Sequence, residues 1–203
     1  MVIGLRTEGL VTSHRTSYGR LVPCLACSEP SETGVCARCR GSLRPASERV
    51  VVGILVRSAF AHDGVAPGLV HRLKYEASPV AARVLARSMV GLIPGDTAAL
   101  IPVPRVLARR LRYGVDQSRE LTRALSLLTG LPVVDALKPA VWTARRAGPA
   151  GRRRGTPTFQ HRGAVPSQSV LVDDVITTGT TIVAAGRVVG ATRAVTFTSA
   201  IRP

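Results

Sequence analysis

The chain has 203 residues, 45% of them hydrophobic but only 3% aromatic, and a formal net charge of +16. That length suits one medium domain, or one domain with a small appendage, around a core filled by aliphatic side chains. No apolar run approaches the roughly 20 residues that cross a bilayer, so no membrane insertion is expected.

Residues 1–20 carry Arg6, Arg15 and Arg20 without a continuous apolar stretch. A secretory signal is therefore not expected, and a cytoplasmic location is. Between Leu100 and Arg162 the only acids are Asp116, Glu120 and Asp135. Such a field attracts polyanions: nucleic acid, an anionic membrane face or a phosphorylated small substrate. An arginine-rich source proteome accounts for the charge equally well, so charge alone does not establish nucleic-acid binding.

All four cysteines fall in two C-x-x-C pairs, Cys24/Cys27 and Cys36/Cys39, separated by eight residues. Two such knuckles place four thiolates tetrahedrally around Zn²⁺ and leave no open coordination position, which suits a structural site rather than a catalytic one. Metal binding would supply folding energy that so short a segment lacks. A thioredoxin-like redox pair or two disulfides are the alternatives; a redox pair opens a helix after a strand and needs no duplicate. Residues 20–44 are read as a zinc ribbon, Arg44-Pro45-Ala46-Ser47 as a linker, and 48–203 as the main domain.

Val50 to Phe60, rich in β-branched residues, predicts one strand or two broken near Gly53. Val65 to Tyr75 predicts a short helix. Ser78-Pro79 opens another, with Val80, Val84, Leu85, Met89, Leu92 and Ile93 on its apolar face and Pro94-Gly95-Asp96 as its stop. Ala98 to Val103 predicts a strand running into Pro102-Val103-Pro104-Arg105 and a basic run. Glu120 to Leu128 is helical, closed by Gly130, and Leu131 to Leu137 is a third short strand. Strand, helix and strand in that order give the rhythm of a parallel sheet. From Lys138 to Pro166 periodicity disappears among arginines, glycines and prolines, which predicts a flexible basic loop, either a cover over an anionic ligand or disorder.

The most informative stretch is Val170-Leu171-Val172-Asp173-Asp174-Val175-Ile176-Thr177-Thr178-Gly179-Thr180-Thr181. It reads as a buried strand, a turn and a helix start, where backbone N–H groups and the helix dipole favour a phosphate. The threonine hydroxyls add donors. Asp173 and Asp174 cannot hold a phosphate; ribose hydroxyls, directly or with Mg²⁺ nearby, suit them. A plain strand end with a polar cap needs neither the paired acids nor the threonines. Ile182, Ala185, Gly186 and Val189 then form a helix face ending at Gly190, and Val195 to Ile201 is the last strand.

This stretch resembles the PRPP-binding signature of type I phosphoribosyltransferases. The order of the four-cysteine N-terminus, Leu73-Lys74-Tyr75, Pro102-Val103-Pro104 and the acid–threonine loop resembles the ComF family of phosphoribosyltransferase-like proteins over nearly the whole chain. The resemblance implies an α/β, type I phosphoribosyltransferase fold, a twisted and mainly parallel sheet flanked by helices, with a small N-terminal zinc-ribbon module. It implies that Asp173 and Asp174 take the ribose hydroxyls with Mg²⁺, and that Thr177, Thr178, Gly179, Thr180 and Thr181 take the 5-phosphate. Val103, Pro104 and Arg105 match the pyrophosphate loop. It also implies a role in competence and DNA uptake, as a transferase or as a non-catalytic factor that binds single-stranded DNA or a helicase-type partner.

The chain departs from these patterns in two places. Thr177 stands where purine-salvage relatives carry an acid, and Arg112-Tyr113-Gly114-Val115-Asp116-Gln117 replaces the family's Arg-Gly-Tyr-Asn-Gln. No catalytic base and no acceptor follow from the sequence.

Overall fold

The computed structural model describes residues 21–76, 79–104, 116–139 and 157–200. The N-terminal part holds β1 (Val22–Pro23), β2 (Pro30–Ser31) and a short helix α1 (Ala37–Gly41). There follow β3 (Arg49–Val51), β4 (Ile54–Ala61), α2 (Ala66–Glu76), α3 (Pro79–Met89) with a 3₁₀ turn at Val90–Leu92, β5 (Ala99–Pro102) and α4 (Gln117–Thr129). The last third holds β6 (Leu137–Pro139), β7 (Phe159–His161), β8 (Ser169–Ile176), α5 (Thr180–Val189) and β9 (Arg193–Ser199).

A five-stranded sheet in the order β3-β4-β9-β8-β5 organises the chain. β4, β9, β8 and β5 run parallel, and β3 is antiparallel at one edge. A parallel sheet covered on both faces needs apolar residues in continuous runs rather than in alternation. β8 shows this, with Val170, Leu171 and Val172 all fully buried. Val170 and Val172 pack with Leu69, Leu73, Leu85, Met89, Leu121 and Leu125 of α2, α3 and α4. Leu171 packs with Ile54, Val56, Ile182 and Ala185 of β4 and α5. The molecule is therefore a three-layer α/β arrangement, and among the described residues no helix is long and apolar enough to cross a membrane.

The strand expected over Val50 to Phe60 is two strands joined by Val52-Gly53, with Val51 facing Ile54. Both loop residues have positive φ, 48° at Val52 and 79° at Gly53, the twist-matched geometry of a two-residue hairpin. α4 begins three residues before the expected start because the Asp116 carboxylate caps it, accepting from Arg119 N at 3.4 Å. It ends as expected at Gly130, left-handed with φ 74°.

Two expectations need correction. Leu131 to Leu137 is not a full strand: Val133 makes a single parallel bridge to Leu100. Leu100 N donates to Pro132 O and Leu100 O accepts from Val134 N, each at 2.9 Å, but Pro132 has no N–H with which to extend the ladder. Nor is 138–166 loop throughout. Lys138 and Pro139 belong to β6, which pairs antiparallel with β7, and Leu137 and Phe159 pack beneath α5. Arg145, Arg146 and Arg152 to Arg154 lie outside the described residues.

The cysteine module is seated on α2 and α3. Cys24, Val35 and Cys39 share a buried cluster with Leu69, Leu73 and Leu85, and Arg72 Nε donates to Leu25 O at 3.2 Å. Gly34, with φ 83°, lies so close to α3 that an added Cβ would stand 2.6 Å from Val84 Cγ2.

Candidate functional site

The parallel strands all point their C-terminal ends the same way, and ligands of open α/β sheets bind beyond those ends. Here the ends carry polar side chains at buried positions. β8 runs on through Asp173 and Asp174 to Ile176 instead of stopping before the acids, because Asp173, Val175 and Ile176 pair with Thr196, Thr198 and Ser199 of β9. Both acids are consequently buried, 8% and 4% exposed. Asp173 Oδ1 accepts from Asp174 N and from Ser118 Oγ, each at 2.8 Å. Ser118 sits in the first turn of α4, which brings that helix's N-terminus against β8.

Beside the acids, hydroxyls line the ends of β4 and β9. Ser58 Oγ and Thr196 Oγ1 lie 2.7 Å apart, and His62 Nδ1 is 2.9 Å from Thr198 Oγ1. His62 N also donates to Ser199 O at 2.7 Å, fixing the histidine at the strand end. On the other side of β8, Val103 N donates to Val172 O at 3.0 Å. Val103 and Pro104 are buried next to the acid-bearing strand; Arg105 lies outside the described residues.

The turn after β8 exposes Thr177, Thr178 and Thr180 and buries Gly179. Gly179 is the N-cap of α5 with φ 78° and makes no side-chain cap. A Cβ there would lie 2.6 Å from Val51 Cγ1, so glycine is needed both for the left-handed backbone and for the close approach of the β3–β4 hairpin. Thr178 and Thr180 hydroxyls are 2.9 Å apart. The threonines thus flank the first turn of a helix whose amides lack internal acceptors.

At the other end of the chain the four cysteine sulphurs all lie within 4.8 Å of one another. Cys27 Sγ and Cys36 Sγ are 3.6 Å apart, close to the edge of about 3.8 Å expected of a tetrahedron with metal–sulphur bonds of about 2.3 Å. A disulfide needs about 2.05 Å. Burial pushes the Cys24 thiol up, but backbone N–H donors from Cys36, Cys27 and Ala26 outweigh it, and its pKa falls to about 6. Hydrogen bonding to Cys27, reinforced by burial, drives Cys39 the other way, to about 12. Four sulphurs this close cannot all ionise unaided, whereas a cation at their centre allows it. The cluster is suited to one metal ion. Arg38 adds positive charge beside it: a hydrogen bond to Cys27 raises its own pKa.

Of the residues singled out from sequence, Asp173, Asp174, Thr177 to Thr181, Val103 and Pro104 gather at the sheet's C-terminal edge, while the cysteines form a separate cluster. Ser118, His62 and the hydroxyl row of Ser58, Thr196 and Thr198 were not anticipated. Asp116-Gln117-Ser118 offered a signal for the first, as a polar group opening a helix. The others are single polar residues in apolar runs, and only their pairing across strands reveals them. No protein-family model matches the chain, and no curated protein matches it.

Proposed function

We propose that the strand-end site holds PRPP with Mg²⁺, and that the protein is a ComF-type, phosphoribosyltransferase-like protein that transfers phosphoribose to an acceptor. One observation carries this reading: two buried adjacent carboxylates lie in the C-terminal half of a central parallel strand, which continues through Val175 and Ile176 into the threonine–glycine turn at the start of α5. The acids suit a ribose diol, the turn suits its 5-phosphate, and Val103-Pro104 beside β8 suits the pyrophosphate. As the C1–O bond to pyrophosphate breaks, the ribose takes on oxocarbenium character and a nucleophilic nitrogen of the acceptor bonds to C1, while the carboxylates would hold the ribose hydroxyls. Mg²⁺ on Asp173 and Asp174 would neutralise charge on the departing pyrophosphate. In the same reading the four cysteines hold a closed, structural Zn²⁺.

Thermal unfolding with and without PRPP and Mg²⁺ tests this. The expected result is a rise in melting temperature that Asp173→Asn with Asp174→Asn abolishes. No shift in well-folded wild-type protein would sink the reading.

The net charge of +16 supports a second reading, a non-catalytic factor of DNA uptake that keeps the same pocket and binds single-stranded DNA. With 3% aromatic residues there is little for bases to stack on, so contact would be electrostatic and steeply salt-dependent. Replacing Arg152, Arg153 and Arg154 by Ala should then flatten the slope of log affinity against log salt. An affinity that ignores salt removes this reading.

A further inference from the structure

A second concavity lies away from the strand ends. Where the cysteine module meets α2, α3 and the sheet, a cleft of about 340 Å³ opens, at the lower end of the range of about 300–1,000 Å³ typical of small-ligand sites. Its inner wall is apolar: Leu69, Leu85 and Phe197 are each 1% exposed. Phe60 and Phe197 meet edge to face there, ring centroids 5.6 Å apart at 74°. The whole chain has three Phe, three Tyr and one Trp, so two of its seven aromatic rings are spent on this one wall. The cleft is not a gap left by a loosely attached module. Gly34 abuts Val84 of the cleft wall, and Arg72 Nε donates to Leu25 O, so the module is tied to both α2 and α3.

Among the described residues the charged groups at the cleft are of one sign. Arg40 of α1 and Arg87 of α3 line it, beside the neutral Thr33 and Ser88, and no acid among the described residues does. Among the described residues no carboxylate forms an ion pair with either arginine. Two guanidiniums from different elements beside an apolar, aromatic wall match a ligand with a flat anionic head and a hydrocarbon body; the guanidinium fork fits a carboxylate in two-point contact.

We propose that this cleft binds a small amphipathic carboxylate of the arylalkyl class. Its hydrocarbon part rests on the half-buried Phe60, Leu43 and Val84, with Leu69, Leu85 and Phe197 packed beneath them as a floor, and its carboxylate meets Arg40 and Arg87. The occupant bridges the cysteine module and the α/β domain. This site is independent of the strand-end reading and stands whether or not PRPP binds.

Isothermal titration with 4-phenylbutyrate and with its neutral amide, 4-phenylbutyramide, tests the proposal on the full chain. The carboxylate should bind, and the amide should bind about tenfold or more weakly, because it forfeits the charge-assisted contacts. Arg40→Gln and Arg87→Gln should each weaken the carboxylate several-fold and leave the amide unchanged. Ser88→Trp, at the exposed rim of the cleft, should block both. The proposal is overturned if the carboxylate does not bind, if acid and amide bind equally, or if the arginine variants, with unchanged melting temperatures, bind like the parent. Should Ser88→Trp fail to fold, the arginine pair alone decides.

Discussion

Ser118 Oγ donates a 2.8 Å hydrogen bond to Asp173 Oδ1 across 55 residues of sequence, between a fully buried serine and a carboxylate 8% exposed. The contact joins the N-terminus of α4 to the acid-bearing strand and, with Asp174 N on the same oxygen, fixes the direction of the carboxylate. A hydrogen bond to a charged, buried group contributes about 1.5–3 kcal/mol. Ser118→Ala should cost stability of that order by denaturant unfolding. In a double-mutant cycle with Asp173→Ala, which removes the accepting oxygen, the two losses should fall short of additivity by about 1 kcal/mol or more, since each substitution removes the same contact. Simple additivity would mean that the serine does not act through the aspartate.

That relationship shows where sequence reading stops. The helices were legible because their apolar faces recur every three to four residues within one segment: Leu121 and Leu125 mark α4, and Ile182, Ala185 and Gly186 mark α5. The cysteine cluster was legible because local C-x-x-C spacing limits where the sulphurs can go. The extent of β8 was not. Asp173 and Asp174 follow the apolar Val170 to Val172 with no local signal of where the strand ends, and pairing with Thr196 and Thr198 of β9 keeps the chain extended through two buried acids. β6 and β7 are three residues each, too short for alternation to register, and their pairing depends on the chain returning across some twenty residues. In each case the missing information was a partner far away in sequence.

Gly186 sets how closely α5 can approach the sheet. A Cβ there would stand 2.4 Å from Ile54 Cδ1 and 2.9 Å from Ala191 O. The isoleucine methyl can swing aside, but the carbonyl belongs to the backbone immediately after the helix and cannot. Alanine would gain up to about 1 kcal/mol in helix propensity, while forcing an atom into a packed interface costs about 1–3 kcal/mol. The steric term wins, and Gly186→Ala should lower stability by about 1–2 kcal/mol. An unchanged or raised unfolding midpoint would show that α5 can shift without loss.

The β3–β4 hairpin offers a gain in the opposite direction. Val52 holds φ 48° with its side chain 69% exposed, so its strain is not offset by burial. The left-handed region costs a residue with a Cβ about 1–2 kcal/mol, and asparagine tolerates it better. Val52→Asn, giving the Asn-Gly pair that two-residue hairpins favour, should stabilise the protein by about 1 kcal/mol. For a chain of this size that raises the melting temperature by roughly 2–4 °C. A lower melting temperature would mean that the exposed valine contributes packing not evident at this edge. Because Val51 lies against Gly179, the same variant also reports whether the hairpin's rigidity matters to the threonine turn.

The last prediction concerns the cysteine cluster. Its two buried members, Cys24 and Cys39, belong to the same packed cluster as Leu69, Leu73 and Leu85, so whatever holds the sulphurs together also helps cover α2. If one Zn²⁺ does so, the purified protein should carry close to one zinc per chain by elemental analysis. Replacing it by Co²⁺ should give the thiolate-to-cobalt charge-transfer absorption of a four-sulphur site. Chelation should lower the melting temperature and raise the fluorescence of an apolar-surface dye, since metal binding and folding of such modules are linked. Cys39→Ser should give the same two changes without chelator. Full-length protein that contains no metal, and whose four thiols are recovered as disulfides, would instead require the sulphurs to re-pair, because Cys27 and Cys36 stand 3.6 Å apart, well beyond a bond of about 2.05 Å.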